Sequence, residues 1–161
     1  MSWCVIHVKP RCEKKIAKCC SVLGIEYFLP LRSETKIYQR RKVTAEKPIF
    51  PGYVFASFDR QQRLSLLKTN QIVRFLETDD EARLVHELEQ VRKALSVDPS
   101  LGSDAALKAG TAVRITGGPF MGVEGWVQEM RSHSKVCLSV DMIGQAVVVE
   151  VARDYLDLID V

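Results

Sequence analysis

Six cationic side chains, Arg32, Lys36, Arg40, Arg41, Lys42 and Lys47, fall within sixteen residues against only two carboxylates, Glu34 and Glu46, with Tyr38 among them. Such a segment attracts phosphate without reading base sequence, because each cation that meets a phosphate releases a condensed counterion. Lys36, Arg40, Arg41 and Lys42 are its candidate nucleic-acid-facing residues. A solvated hairpin kept soluble by charge is the plainer alternative, though this cation density exceeds what solubility requires. Directly after it, Pro48-Ile49-Phe50-Pro51-Gly52-Tyr53-Val54-Phe55 brackets a turn with prolines and feeds aromatics into a strand. Pro51 fixes φ near about −65°, and Gly52 can take the positive φ that closes such a turn. The strand sets Tyr53, Phe55 and Ser57 against Val54, Ala56 and Phe58, so one face fills a core and the other carries Tyr53 and Phe55. Phe50 and Tyr53 are expected as an aromatic platform on a stiff base, the alternative being that all these rings are core.

Catalytic groupings are missing from the pattern. His7, His86 and His133 have no nucleophile or carboxylate at motif spacing, and no glycine-rich phosphate loop occurs, so the expectation is a protein that is not an enzyme. The five cysteines are odd in number and include no Cys-x-x-Cys pair, which argues against a disulfide framework and a zinc site. Cys12, Ile16, Cys19 or Cys20, and Leu23 recur at helical spacing and read as core; no metal and no cofactor is expected. No apolar run is long enough to span a bilayer, and Met1-Ser2-Trp3-Cys4 lacks a signal-peptide layout. A soluble, cytoplasmic, monomeric protein without membrane contact is expected.

The positioning elements fall into two modules. The chain has 161 residues, 47% of them hydrophobic, enough for one core or two small ones. Its net charge of +3 hides an asymmetry: residues 1–97 carry +7 and residues 98–161 carry −4. Ser96 to Ala106 is rich in small and turn-forming residues. The expected layout is therefore a first domain over 1–97, a linker over 98–106 and a second domain over 107–161. In the first, Trp3 to Val8 reads as a strand, Arg11 to Leu23 as a helix closed by Gly24, and Glu26 to Leu29 as a strand. The polar segment from Arg32 to Lys47 leads to the strand Tyr53 to Phe58. A helix over Arg60 to Lys68 with Leu64 and Leu67 inward follows, then a strand over Ile72 to Leu76. Asp79 to Ser96 reads as a third helix with Val85, Leu88, Val91 and Leu95 inward. The β-α-β-β-α-β order is the split βαβ, or ferredoxin-like, antiparallel sheet of an α+β fold.

The second module alternates through short strands, Ala112 to Thr116, Gly125 to Met130, Lys135 to Val140 and Gln145 to Val151, separated by turns that include Arg131-Ser132-His133-Ser134. It reads as a small SH3-like barrel, with Gly125 allowing a bulge or tight bend. Its partner contacts are expected at loop tips, from Phe120 and Met121 in one loop and Ile143 and Gln145 in another.

Several of these runs carry a family resemblance. The Trp3 strand, Pro30-Leu31, Pro48 to Phe55 and Ile72-Val73-Arg74-Phe75 resemble the N-terminal domain of NusG-type transcription factors. Gly110 to Val127, with Gly117-Gly118-Pro119-Phe120, resembles a KOW domain in its usual C-terminal place. The resemblance implies a transcription elongation and antitermination factor that grips the clamp helices of the largest RNA polymerase subunit, contacts the opposite subunit, favours the closed clamp and reduces pausing. It places Trp3, His7, Phe50, Pro51, Tyr53 and Phe55 at the polymerase contact and the basic insert toward upstream DNA. Housekeeping members carry an aromatic followed by Gly-Arg in the late KOW loop, where Rho or a small-subunit ribosomal protein binds. This chain has Ile143-Gly144-Gln145, and Lys42 to Pro48 is closer in wording to the specialised RfaH-like paralogues. A housekeeping factor acting with Rho, and an RNA-binding or ribosome-associated KOW protein, are the alternatives.

Overall fold

The computed structural model describes residues 2–105, 111–129 and 134–159. In chain order its elements are β1 (Ser2–Val8), α1 (Glu13–Val22), β2 (Glu26–Phe28), β3 (Leu31–Tyr38), β4 (Arg41–Pro48), β5 (Tyr53–Phe58), α2 (Arg60–Leu67), β6 (Ile72–Leu76) and α3 (Glu81–Val97). They continue with β7 (Ser103–Ala105), β8 (Thr111–Ile115), β9 (Glu124–Glu129), β10 (Ser134–Val140), β11 (Gln145–Val151) and β12 (Leu156–Leu158). The chain divides into two compact units, Met1–Pro30 with Phe50–Val85, and Leu31–Ile49 with His86–Val161. It is a mixed α/β protein of three helices and antiparallel sheets among the described residues.

In the first unit the sheet order is β2-β5-β1-β6, antiparallel throughout. Alternation along β1 and β5 sends Ile6, Val8, Val54 and Ala56 to one face, where they bury with Ile16 and Cys20 of α1 and Leu66 of α2. The α1 helix stops where Gly24 turns left-handed at φ 71°. A reciprocal cap starts α2: the Asp59 carboxylate accepts the Gln62 N–H at 2.8 Å, and the Gln62 side-chain oxygen accepts the Asp59 N–H at 2.9 Å. Gln62 also donates to the Leu23 carbonyl, at 3.3 Å. That bond turns the 62/66 face inward, so Leu66 is the buried leucine, while Leu64 and Leu67, expected inward, are exposed. The α3 stripe likewise begins one residue early: Leu84, Leu88 and Val91 are buried and Leu95 partly so, whereas Val85 faces solvent.

The second unit holds two sheets. Strands β3 and β4, in the polar segment for which a solvated hairpin was the plainer reading, pair over eight positions from Leu31–Pro48 to Tyr38–Arg41. The other sheet runs β12-β8-β9-β10-β11-β7. Its β7 forms within the stretch of linker composition by pairing Ser103–Ala105 with β11. The expected SH3-like barrel is not closed by hydrogen bonds among the described residues, since β12 pairs only with β8 and β7 only with β11. The expected second-module start at Leu107 and the turn through His133 lie outside the described residues. Gly125 makes no bulge, because the β8–β9 register runs unbroken through Val113–Gly125. It permits close approach instead: a Cβ there would lie 2.7 Å from the Cys137 carbonyl oxygen and 2.8 Å from a Val136 methyl. Gly125→Ala is therefore expected to destabilise the second unit by about 1–3 kcal/mol, read as a lower denaturant midpoint.

Candidate functional site

Cross-strand register builds the first surface. Opposite the helix-packed face of the first sheet, His7 on β1 stands across from Tyr53 on β5 and Arg74 on β6, while Val5 stands across from Phe55 and Leu76. The His7 and Tyr53 rings stack with centroids 5.2 Å apart and planes 26° off parallel. The row ends at the proline-glycine bend. There the Tyr53 N–H returns to the Phe50 carbonyl at 3.3 Å, Gly52 sits at φ 90°, and its carbonyl accepts the Val8 N–H at 2.8 Å. A second tie holds Trp3, whose backbone N–H donates to the Glu81 carboxylate at 2.7 Å.

Burial sorts the six residues assigned here. Pro51 is exposed, and Trp3, His7 and Tyr53 are half-buried with area left to offer. Phe50 and Phe55, expected as part of the surface, are sealed in the core, at 1% and 0% exposure. Phe55 has ring neighbours on two sides, Phe28 and Phe50, each with its centroid 6.4 Å away, and the Phe50 contact is edge-on. The face is thus cemented near its centre and open along the His7–Tyr53 row. Sequence reasoning did not single out Arg74, which only the β1–β6 register brings beside His7.

The basic insert is a hairpin arm. Register pairs share a face, so Arg32, Lys36, Arg41 and Lys47 lie on one side with Tyr38 and Glu34, while Lys42 lies opposite Ile37 on the other. Of the four cations proposed to meet nucleic acid, Lys36 and Arg41 share a face, Arg40 is in the turn and Lys42 points away from them. Glu34 moderates the repulsion. Its carboxylate lies 3.0 Å from Lys47 and 3.8 Å from Lys36, and hydrogen bonding to Lys47 holds it below the usual carboxylate range while lifting the Lys47 ammonium. The arm's base is fixed within its unit: the Ser33 N–H donates to the Pro99 carbonyl at 2.8 Å and the Arg32 guanidinium to the Ser100 carbonyl at 3.1 Å.

The loop residues proposed for a further partner also lie in the second unit. Met121 is exposed, and Phe120, Ile143 and Gln145 are half-buried. Helix α3 meets the strand ends beside them. The Gln90 side-chain oxygen accepts the Glu124 N–H at 2.9 Å, and the Asp141 N–H donates to the Glu87 carboxylate at 3.4 Å. The Glu124 carboxylate is held by Arg114 at 2.7 Å and lies 3.3 Å from His86. Two buried cysteines are held as thiols: burial pushes the Cys4 thiol up to about 12 and the Cys20 thiol up to about 11. No group of three or more metal-ligating side chains is present among the described residues. No helix among them is long and apolar enough to cross a membrane.

The first unit is thus an antiparallel sheet with an aromatic row at a proline-glycine bend, and the second unit carries a basic hairpin arm. The model of the family described as NusG, transcription termination factor, matches residues 1–94, and the chain belongs to that family. A structure on domain interaction in Thermotoga maritima NusG is 19% identical, covering 99% of this chain and 97% of that one at a TM-score of 0.51, which supports a shared fold. Two conformations of an MjSpt4:Spt5 complex align more loosely. Conformation B is 12% identical, over 99% of this chain and 97% of that one, at a TM-score of 0.32. Conformation A is 11% identical, over 98% of each chain, at 0.30. No curated protein matches.

The facial division of the arm yields a direct test. Lys36→Ala with Arg41→Ala is expected to lower the slope of log affinity for duplex DNA against log salt by about 2, and Lys42→Ala to leave it nearly unchanged, in fluorescence anisotropy titrations.

Proposed function

We propose that this protein is a transcription elongation and antitermination factor that fastens to the clamp helices of RNA polymerase through the His7–Tyr53 row, with Pro51 and Trp3 as flanking apolar anchors. The observation that carries this reading is the stacked, half-exposed His7–Tyr53 pair beside an exposed proline on the face away from α1 and α2. Phe50 and Phe55 act from beneath, by holding the row in place. A factor that contacts both the clamp and the opposite subunit only when the clamp is closed stabilises the closed state by the difference in affinity, and pausing falls. The arm adds screened attraction to upstream DNA. In this reading the first domain is the split βαβ unit of residues 1–97, joined through 98–106 to an SH3-like KOW domain over 107–161, and the protein works as a cytoplasmic monomer.

One observation favours the specialised, RfaH-like branch over a housekeeping factor working with Rho or a ribosomal protein. At the late loop the chain offers Ile143, left-handed Gly144 at φ 65° and Gln145, with neither an aromatic nor a cation to meet such a partner. An RNA-binding or ribosome-associated protein is the remaining alternative. Single-round transcription on a template with defined pauses separates the readings, since an antiterminator increases readthrough and a Rho partner decreases it.

Tyr53→Ala is expected to weaken capture by core polymerase in high salt by about 2 kcal/mol, roughly 30-fold, with little change in unfolding midpoint. Phe50→Ala is expected to do the reverse, lowering fold stability by about 3–5 kcal/mol. Undiminished capture by the Tyr53 variant removes the proposal.

A further inference from the structure

The row on the first sheet ends in a cation that no described carboxylate answers. Arg74 on β6 is the register partner of His7 on β1, so Tyr53, His7 and Arg74 follow one another across three neighbouring strands on one face. Arg74 is exposed and takes part in no ion pair among the described residues. Carboxylates are not scarce nearby, since Glu77, Asp79, Asp80 and Glu81 follow within seven residues. Three of them are engaged elsewhere. Glu77 pairs with Arg63 at 2.9 Å, Asp80 accepts the Arg83 backbone N–H at 3.0 Å, and Glu81 accepts that of Trp3. The Arg63 guanidinium lies 4.5 Å over the Phe75 ring, and Phe75 is the register partner of Ile6, so Glu77 serves the cation of the opposite face.

His7 is unsatisfied in the same way. Tyr53 stacks on one face of its ring, and neither ring nitrogen has a hydrogen-bond partner among the described residues. A Cβ at position 52 would lie 3.7 Å from His7 Cδ2 and 3.8 Å from Nε2, so glycine there leaves that edge of the imidazole uncovered. The charged or titratable groups facing His7 are Tyr53 from β5 and Arg74 from β6, with Lys9 two residues on in its own chain. None is a carboxylate, and Glu81 is held at Trp3, toward the other end of β1. An imidazole beside an unpaired guanidinium is a pair of donors without an acceptor. A carboxylate brings two acceptor oxygens on one rigid group, enough for one bond from each. A phosphate would satisfy the same donors, and the rest of the row decides between them. Tyr53, Pro51 and Trp3 offer apolar bodies suited to a protein surface, and one permanent cation is too few for a backbone charged at every nucleotide.

We propose that the polymerase surface gripped by this row places a carboxylate between His7 and Arg74, and that attachment therefore takes up a proton at His7. This rests on the polymerase reading and adds to it the charge of the surface gripped and a dependence on pH. In the free chain a protonated His7 is opposed by Arg74, whereas in the complex the carboxylate holds it, so the complex binds more protons and tightens as pH falls. Imidazoles change charge between about pH 5 and 8, which sets the window.

The test is the affinity of the full chain for core RNA polymerase, by biolayer interferometry between about pH 8 and pH 6. Wild-type affinity should rise about fivefold over that range. His7→Phe keeps a ring against Tyr53 and should lose the rise, while titration within the polymerase is common to both chains and cancels in the comparison. Arg74→Gln should weaken capture about tenfold and Arg74→Glu about a hundredfold at low salt, with Arg74→Lys restoring part of the loss. Unfolding midpoints of the Arg74 variants should stay near wild type, because the side chain is exposed and unpaired. A rise that survives His7→Phe, or Arg74→Glu binding as tightly as wild type, overturns the proposal, and capture that still depends on Tyr53 then leaves the polymerase reading standing. If Arg74→Gln loses affinity for a labelled duplex and keeps its capture by polymerase, the group met is a phosphate and the proposal fails. A chain that core polymerase captures at no pH overturns both.

Discussion

The central strand of the first unit fixes almost everything that this sheet presents. Hydrogen bonding of β1 to β5 on one side and β6 on the other locks Ile6 opposite Val54 and His7 opposite Tyr53. A slip of one residue would invert every side chain, burying an imidazole against α1 and exposing Ile6 and Val54. The penalty for that inversion is what specifies the register, and the Val8 N–H bond to the Gly52 carbonyl closes the β1–β5 pairing at the bend. The His7–Tyr53 row is thus a by-product of core packing: the apolar residues choose the alignment, and the intervening positions are carried to the other face.

Strand alternation, the Gly24 helix stop and the proline-glycine turn were all legible in the chain, because each depends on neighbours a few residues away. What could not be read was whether a second sheet face is covered. Period two places Tyr53 and Phe55 on the same side and says nothing about the difference between them. That difference comes from Phe28 on β2 and from Phe50, edge-on across the bend, which together enclose Phe55 and leave Tyr53 at the rim. The phase of α2 was hidden for a similar reason. Eight residues with leucines at 64, 66 and 67 fit either face, and a distant carbonyl, that of Leu23, makes the choice through Gln62.

The hairpin arm shows a different case, in which composition was read as charge and a hairpin stood only as the plainer alternative. Two-residue hairpin turns favour Asn-Gly or a similar pair, and Gln39-Arg40 gives no such signal, although both adopt positive φ, 45° and 67°. An isolated two-stranded ribbon is marginal in water. This one is held by its ladder, by the Thr35–Thr44 hydroxyl pair at 3.2 Å, and by anchoring of Ser33 and Arg32 to the segment after α3. Asp98 stiffens that segment by accepting from the Ser100 hydroxyl at 2.6 Å and the Ser100 N–H at 2.9 Å, which holds its carboxyl below the usual range.

Residues that hold this fold together and residues that it offers outward are largely different sets, and the division follows from desolvation. Phe50 and Phe55 gain most when fully removed from water, so the fold takes them, and no partner can then recover the same free energy. Tyr53 and His7 stack on each other, leaving each ring a free edge, and can still lose water to a partner. Arg32 makes the same point for charge, since its guanidinium already donates to the Ser100 carbonyl and Lys36 already faces Glu34, whereas Arg41 further along that face is exposed. Arg11 and Arg40 extend it to the backbone. Both are arginines in the left-handed region, where glycine would fold more easily, and each stands within a dense run of cations. Local backbone preference therefore does not account for either residue.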